Sequence, residues 1–460
     1  MGMWQGKHVL VLGLGESGLA LARWLAHEGA SVRVADSRAH PPGAEALHAA
    51  LPEVTLSTGA FALSLLDGVD VLAISPGLDP RLPIIEGARA RGIPVTGEIQ
   101  VFVDALESLG ARARCRLIAI TGTNGKTTTT ALTAALCRAA GLDAVEAGNI
   151  SPATLAVLLD RVSAGRPLPD CWVLELSSFQ LETVTELRAD AAVVLNISDD
   201  HLDRYDSLAD YAATKARIFA GARVAVANRD DARVAAMVAD AAGCTFGLDA
   251  PHRVSDYGLR DGQLMRGDEP LIAVDALPLA GLHNAANALA AMALCEAVGL
   301  PTERLLDGLR RFRGLAHRVE RIAERDDGVT YYDDSKGTNV GATIAALSGL
   351  QRSVLLIAGG DGKGQDFTPL REPVARHARA VILIGRDGPQ IAAALDGAGV
   401  PIEFATDLPR AVLRADALAQ PGDAVLLSPA CASFDMFRNY AHRAEVFVAA
   451  VRALPRVEAA

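Results

Sequence analysis

One heptapeptide restricts this chain more than any other stretch. Gly122-Thr123-Asn124-Gly125-Lys126-Thr127-Thr128 is entered from the apolar run 117–120 and followed by a helical stretch over 131–140. A strand that turns through glycines into a helix makes an anion cradle, because backbone N–H groups can face phosphate oxygens and the helix N-terminus adds a partial positive field. Lys126 is spaced to span β- and γ-phosphates, and a hydroxyl of Thr127 or Thr128 can ligate Mg2+. An ATP-type nucleotide and phosphoryl transfer are therefore expected. The common P-loop spacing is not met in full, since the glycine expected five residues before Gly125 falls at Ile120, and the flanking strand and helix carry the reading.

A cradle of this kind belongs to α/β layers. The composition agrees, with 50% hydrophobic but only 4% aromatic residues, which suits parallel sheets better than an antiparallel sandwich. The 460 residues leave room for several domains. A net charge of -11 argues against a general nucleic-acid surface without excluding local basic pockets. The six cysteines are scattered with no C-x-x-C pair, so neither zinc nor a disulfide framework is expected and a reducing cytoplasm fits. The N-terminus runs straight into a Gly-rich turn, unlike a signal peptide. The longest apolar stretch, 279–300, carries His283, Asn284, Asn287 and Glu296 and reads as a buried helix rather than a membrane span.

Near the N-terminus a strand over 8–12 turns through Gly13-Leu14-Gly15-Glu16-Ser17-Gly18 into a helix reaching about Glu28, and a second strand over 31–35 is closed by Asp36. This is the spacing of a Rossmann dinucleotide site, open to NAD(P), UDP-sugars or other nucleotides. A further strand over 69–74 ends at Ser75-Pro76-Gly77. In the second segment, strands over 172–174 and 192–196 run into Glu175 and into Asp199-Asp200-His201. Ligands of open parallel sheets sit at the carboxyl ends of strands, which puts Glu175 and His201 where Lys126 needs metal-binding partners. A third segment, from around Leu315, has strands over 329–332, 354–358, 381–384 and 425–427 with Asp, Gly, Lys or Ser at their ends, another doubly wound pattern.

Taken in order, these pieces resemble the Mur ligases of peptidoglycan stem-peptide synthesis. The resemblance rests on GLGESG at 13–18, SPG at 75–77, TGTNGKTT at 121–128, GNI at 148–150, ELSSFQLE at 175–182 and DDHLDRY at 199–205. It continues through HNAAN at 283–287, HR at 317–318, DDSKGTN at 333–339, GGDGKGQDF at 359–367 and SPACASFDMF at 428–437. It implies three domains: a Rossmann-like UDP-substrate domain at 1–108, a central ATPase domain with a mainly parallel sheet at 109–315, and a C-terminal Rossmann-like amino-acid domain at 316–460. The N-terminal pattern favours the branch that adds D-glutamate to UDP-N-acetylmuramoyl-L-alanine in the cytoplasm, over other Mur-type amino-acid ligases. It also replaces NAD at the glycine turn by the UDP substrate, against an NAD(P)-dependent oxidoreductase or a non-catalytic nucleotide sensor.

The resemblance further implies roles. The P-loop residues Gly122 to Thr128 would hold ATP together with Asn287, Arg318, Asp334 and Lys336. Two Mg2+ ions are implied, with Thr127, Glu175, His201 and Lys215 as carriers. Lys215 matches a position that the family N-carboxylates; a helix lysine is otherwise most often solvated, and a bare ammonium cannot ligate a cation. Lys126, Glu175, His201 and Lys215 are thus the implied catalytic set. The UDP substrate is expected at Glu16, Ser17, Asp36, Ser37, Arg38, Ser75, Gly77, Asn149 and His201, and the incoming glutamate at Thr338, Lys363, Ser433, Phe434 and Tyr440. A monomer is expected, without nucleic-acid or membrane partners. His283 and Asn284 also read as satisfied polar groups of an Ala-rich core helix.

Overall fold

The computed structural model describes residues 2–200, 204–238, 242–455 and 457–459. Three sheets succeed one another along the chain. The first has β1 (His8–Leu12), β2 (Ser31–Asp36), β3 (Thr55–Thr58), β4 (Val71–Ile74) and β5 (Val95–Gly97), all parallel, in the order β3-β2-β1-β4-β5. The strand order reverses beside β1, so the Gly-rich turn after β1 opens at a topological switch point.

The second sheet has nine strands. Its parallel part comprises β6 (Arg116–Thr121), β7 (Ala144–Gly148), β8 (Cys171–Glu175), β9 (Ala191–Val194), β10 (Val224–Asn228) and β11 (Ala242–Phe246). An antiparallel meander of β12 (Tyr257–Arg260), β13 (Gln263–Arg266) and β14 (Glu269–Ala273) extends it, in the order β14-β13-β12-β11-β10-β9-β6-β8-β7. The third sheet orders β15 (Glu320–Arg325), β16 (Thr330–Asp333), β17 (Val354–Gly359), β18 (Ala378–Ile384), β19 (Ile402–Phe404), β20 (Ala424–Leu427) and β21 (Val457–Ala459) as β19-β18-β17-β20-β16-β15-β21. Its core is parallel, while β15 runs antiparallel to both β16 and β21. The fold is thus α/β with mainly parallel sheets, as the strand patterns imply.

Continuous apolar strands follow from helices covering both faces of a parallel sheet. All six residues of β17 are buried, as are the last five of β6. The helix Leu282–Ala297 has Ala285, Ala288, Leu289, Ala290, Ala291 and Met292 buried and packs on the helix Lys126–Ala139, so the apolar stretch is core. Among the described residues no helix is long and apolar enough to cross a membrane. The helix Glu98–Ser108 ties the first sheet to the second by setting Phe102 edge-on to Trp172, with ring centroids 4.8 Å apart. All six cysteines are free and buried, and the Cys137 Sγ lies 3.8 Å from those of both Cys171 and Cys295.

Candidate active site

The cradle is built by close backbone approach. Gly125 adopts φ 82, and a Cβ there would lie 2.6 Å from the Asn287 Oδ1. The helix starts at Lys126, five residues before the expected helical stretch, so the β-branched Thr127 to Thr130 form its first turns. The Lys126 ammonium donates to the carbonyls of Gly122 and Thr123, both at 2.9 Å. Burial pulls its pKa down while Glu175 and Asp200 oppose that shift. The Asn124 N–H donates to Asn196 Oδ1 at 2.8 Å, fixing the turn to the end of β9.

Glu175 ends β8 and is 2% exposed. Its Oε1 accepts from Asn149 Nδ2 at 2.7 Å, and its buried Oε2 has no hydrogen-bond partner among the described residues. A buried, unspent carboxylate oxygen beside a phosphate cradle fits a Mg2+ ligand. Lys215, in the last turn of the helix Leu208–Ala216, is only 1% exposed, unlike a solvated helix lysine. Its Nζ lies 3.3 Å from Thr121 Oγ1 and 4.6 Å from the Tyr211 ring centroid. Burial, helped by the Lys126 charge, holds its pKa well below the lysine range, against the pull of Asp200 and Glu175. His201 lies outside the described residues.

A cleft of about 690 Å³ opens over the cradle, walled on its far side by the C-terminal part of the chain. It brings together Thr123 to Thr128, Asn149, Glu175, Asn287, Arg318, Asp334, Lys336 and Tyr440. Arg318 Nη2 donates to Thr127 Oγ1 at 2.7 Å. Burial depresses the Arg318 pKa, with Glu175 and Asp334 opposing. Asp334 is 7% exposed, accepts from Ser428 Oγ at 2.7 Å, and is pushed up to about 7 by burial. The Lys336 ammonium sits 3.8 Å from the Tyr440 ring centroid, a cation–π contact. Asn287 accepts from Thr129 Oγ1 and donates to Asn284 Oδ1, both at 3.2 Å.

Asp200, His317 and Asn339 line the same cleft but were not singled out by the sequence. Their signal was adjacency to residues that were: Asp200 precedes His201, His317 precedes Arg318, and Asn339 closes the DDSKGTN run. Asn339 Nδ2 reaches Asn124 Oδ1 at 3.3 Å, across the cleft to the P-loop. Asn284 is satisfied, donating to the Ala280 carbonyl at 2.7 Å. His283, half-buried at the cleft, is satisfied only in part: its buried Nδ1 lacks a partner among the described residues, and desolvation lowers its pKa to about 4 against a hydrogen bond with the Ala345 backbone.

Other expected residues stand apart from the cleft. Gly122 lies just beneath it, where a Cβ would meet the Leu195 Cβ at 2.9 Å. Glu16, Ser17, Asp36, Ser37, Arg38, Ser75 and Gly77 gather at the carboxyl edge of the first sheet. Asp36 accepts from the Leu14 N–H at 2.7 Å and from Arg38 Nη2 at 2.6 Å, and these bonds hold its pKa at about 2. That carboxylate therefore braces the glycine turn. Of the expected glutamate contacts, Tyr440 alone lines the cleft. Ser433 is buried, while Phe434 and Lys363 are exposed, Lys363 with φ 51.

Comparison with known proteins agrees along the whole chain. The Mur ligase MurD-like N-terminal domain matches residues 7–97, the Mur ligase middle domain 120–295, and the Mur ligase glutamate ligase domain 317–431. The UDP-N-acetylmuramoylalanine--D-glutamate ligase of Aromatoleum aromaticum is 63% identical over 460 residues, 99% of each chain. That of Dechloromonas aromatica is 55% identical over 454 residues, covering 98% of this chain and 99% of its own. Among solved structures, the UDP-N-acetylmuramate-alanine ligase of Thermotoga maritima superposes with a TM-score of 0.57 at 19% identity, over 97% of this chain and 99% of its own, which shows the shared fold. From its N-terminal glycine turn to its C-terminal sheet, this chain belongs to the Mur ligase family.

Proposed function

We propose that the protein is an ATP-dependent ligase that joins D-glutamate to UDP-N-acetylmuramoyl-L-alanine, a cytoplasmic step of peptidoglycan synthesis. The observation that carries this reading is the shared cleft, in which Lys126, Glu175, Arg318, Asp334 and Lys336 face one cavity. The D-glutamate ligases of Aromatoleum and Dechloromonas, at 63% and 55% identity, support the choice of substrates. The working units are 1–108 for the UDP substrate, 109–315 for ATP and 316–460 for the amino acid. The working unit in this reading is a monomer.

A carboxylate is a poor electrophile at neutral pH, so amide formation requires that one oxygen become a leaving group. ATP donates its γ-phosphoryl group to the L-alanyl carboxylate, and the D-glutamate amine attacks the acyl phosphate, releasing phosphate. Such transfer depends on positioning and on charge neutralisation. Lys126 and Arg318 supply fixed cations at the cradle, while Asn287, Asp334 and Lys336 orient the nucleotide. Thr127, Glu175, His201 and N-carboxylated Lys215 would hold two Mg2+ ions, which supply charge neutralisation at the phosphates when bound. Asn149 faces the muramoyl substrate, and Thr338, Lys363, Ser433 and Phe434 receive glutamate. The test is ADP release with each substrate omitted in turn. ADP is expected only with UDP-N-acetylmuramoyl-L-alanine and D-glutamate together; ADP formation indifferent to either one would refute the assignment.

A further inference from the structure

The segment joining β7 to the helix Thr154–Ser163 is held at both ends by glutamates. At its start Asn149 donates through Nδ2 to Glu175 Oε1 and through its backbone N–H to the Glu175 carbonyl, both at 2.7 Å. At its far end, two carboxylates from the N-terminal part of the chain take the donors. Glu16 Oε1 accepts from Ser151 Oγ at 2.6 Å and from the Ala153 N–H at 3.0 Å. Glu98 Oε1 accepts from the Thr154 hydroxyl and, at 2.8 Å, from the Leu155 N–H.

These partners are specific in place. Ala153, Thr154 and Leu155 lie at the start of the helix Thr154–Ser163, whose first N–H groups have no partner within the helix. Glu98 is 2% exposed, and its Oε2 has no partner among the described residues. Burying a carboxyl is costly, and here burial and the nearby Glu16 push it up to about 7. Glu16 belongs to the Gly-rich turn itself, between Gly15 and Ser17. Neither glutamate lines the cleft. Gly148 leaves no room for slack at the other end, since a Cβ there would lie 2.4 Å from the Glu175 carbonyl oxygen.

We propose that Glu16 and Glu98 form an interdomain carboxylate clasp that positions Asn149 against Glu175, so that the glycine turn of the N-terminal sheet sets the geometry of the carboxylate beside the phosphate cradle. Both are positioning residues, and their effect on turnover rests on the ligase reading above.

The test uses Glu98→Ala, Glu98→Gln and Thr154→Val in the full chain. Hydrogen exchange of the amides of residues 149–155 and Mn2+ binding, followed by electron paramagnetic resonance with a non-hydrolysable ATP analogue, are read beside turnover. Glu98→Ala and Thr154→Val are expected to speed that exchange, weaken Mn2+ binding several-fold and lower kcat about tenfold, with KM for glutamate little changed. Glu98→Gln keeps an oxygen for both donors and is expected to restore all three. Val103→Ala, which removes buried volume from the same helix, is expected to lower Tm without changing exchange in 149–155 or Mn2+ binding. Parent-like exchange and Mn2+ binding in Glu98→Ala would overturn the clasp, as would failure of Glu98→Gln to restore them. If Glu98→Ala does not fold, Thr154→Val decides by the same readouts. A parent enzyme that makes no ADP with both substrates would refute the ligase reading alone, because exchange and Mn2+ binding report the clasp independently of turnover.

Discussion

At Lys215, an amine on a helix is 1% exposed, with Thr121 Oγ1 at 3.3 Å and the Lys126 charge lowering its pKa. Those conditions favour the neutral amine, the form that adds CO2 to give an anionic carbamate and a released proton. If Lys215 carries such a carbamate, Lys215→Ala should lose about 100-fold in kcat, the scale of one preorganised electrostatic group. Formate or acetate should restore part of it, whereas Lys126→Ala should stay inactive with either. Near-parental kcat in Lys215→Ala would rule out the carbamate. Asp334 makes a second prediction, about stability. Its folded pKa of about 7 lies above the ordinary 3.8, so the folded state keeps a proton that the unfolded chain has released. Its contribution is fully present below about pH 3.8 and is lost as pH rises through about 7, a change on the order of a few kcal/mol at most. Asp334→Asn removes this dependence, so its Tm relative to the parent should rise between pH 5 and pH 8. An identical pH trend in both proteins would contradict the buried, protonated carboxyl.

Two helices carry the elements' share of the site. The helix Glu16–His27 approaches the turn so closely that a Cβ on Gly18 would lie 1.8 Å from the Gly13 carbonyl oxygen. Gly18→Ala must therefore push the helix off β1, at a cost of about 1–3 kcal/mol for overpacking. The expected outcome is a lower Tm and a raised KM for the UDP substrate, with binding of an ATP analogue unchanged, as calorimetry can check. Equal losses at both sites would mean that the glycine serves the whole fold rather than its own turn. The helix Lys126–Ala139 begins with four consecutive threonines after its lysine, a poor helical sequence because β-branched side chains lose χ1 freedom. Packing against the helices Leu282–Ala297 and Thr302–Arg311 outweighs that propensity, and the buried Thr133 Oγ1 is satisfied by the Thr129 carbonyl at 2.7 Å.

Over the whole molecule, the cleft exists because the C-terminal part of the chain lies against the P-loop. Arg318 to Thr127 at 2.7 Å and Asn339 to Asn124 at 3.3 Å are the polar ties between them. A hydrogen bond from a charged group is worth about 1.5–3 kcal/mol, or roughly a tenfold or greater change in affinity. Arg318→Ala should therefore raise the KM for ATP at least about tenfold and enlarge the radius of gyration in small-angle scattering. An unchanged radius together with an unchanged KM would show that Arg318 neither closes the cleft nor serves the nucleotide.

The α/β class, the cradle at Gly122 to Thr128, the switch-point turn at Gly13 to Gly18 and the carboxylate at Glu175 are legible in the residues alone. Each is legible because its physics is local: a buried parallel strand must be continuously apolar, and an anion cradle needs glycine at its turn and a helix directly behind it. The meander β12 to β14 was not legible, since its short strands are partly exposed and carry no long apolar run. Nor was the burial of Lys215, which follows from the packing of the helix Leu208–Ala216 rather than from any pattern within it. Asn339 and His317 likewise gain their place because the C-terminal part of the chain comes back to the P-loop, Asn339 meeting Asn124 from 215 residues away. These features arise only in the folded chain, because desolvation, and contact between distant segments, depend on what lies around a side chain and not on its neighbours in sequence.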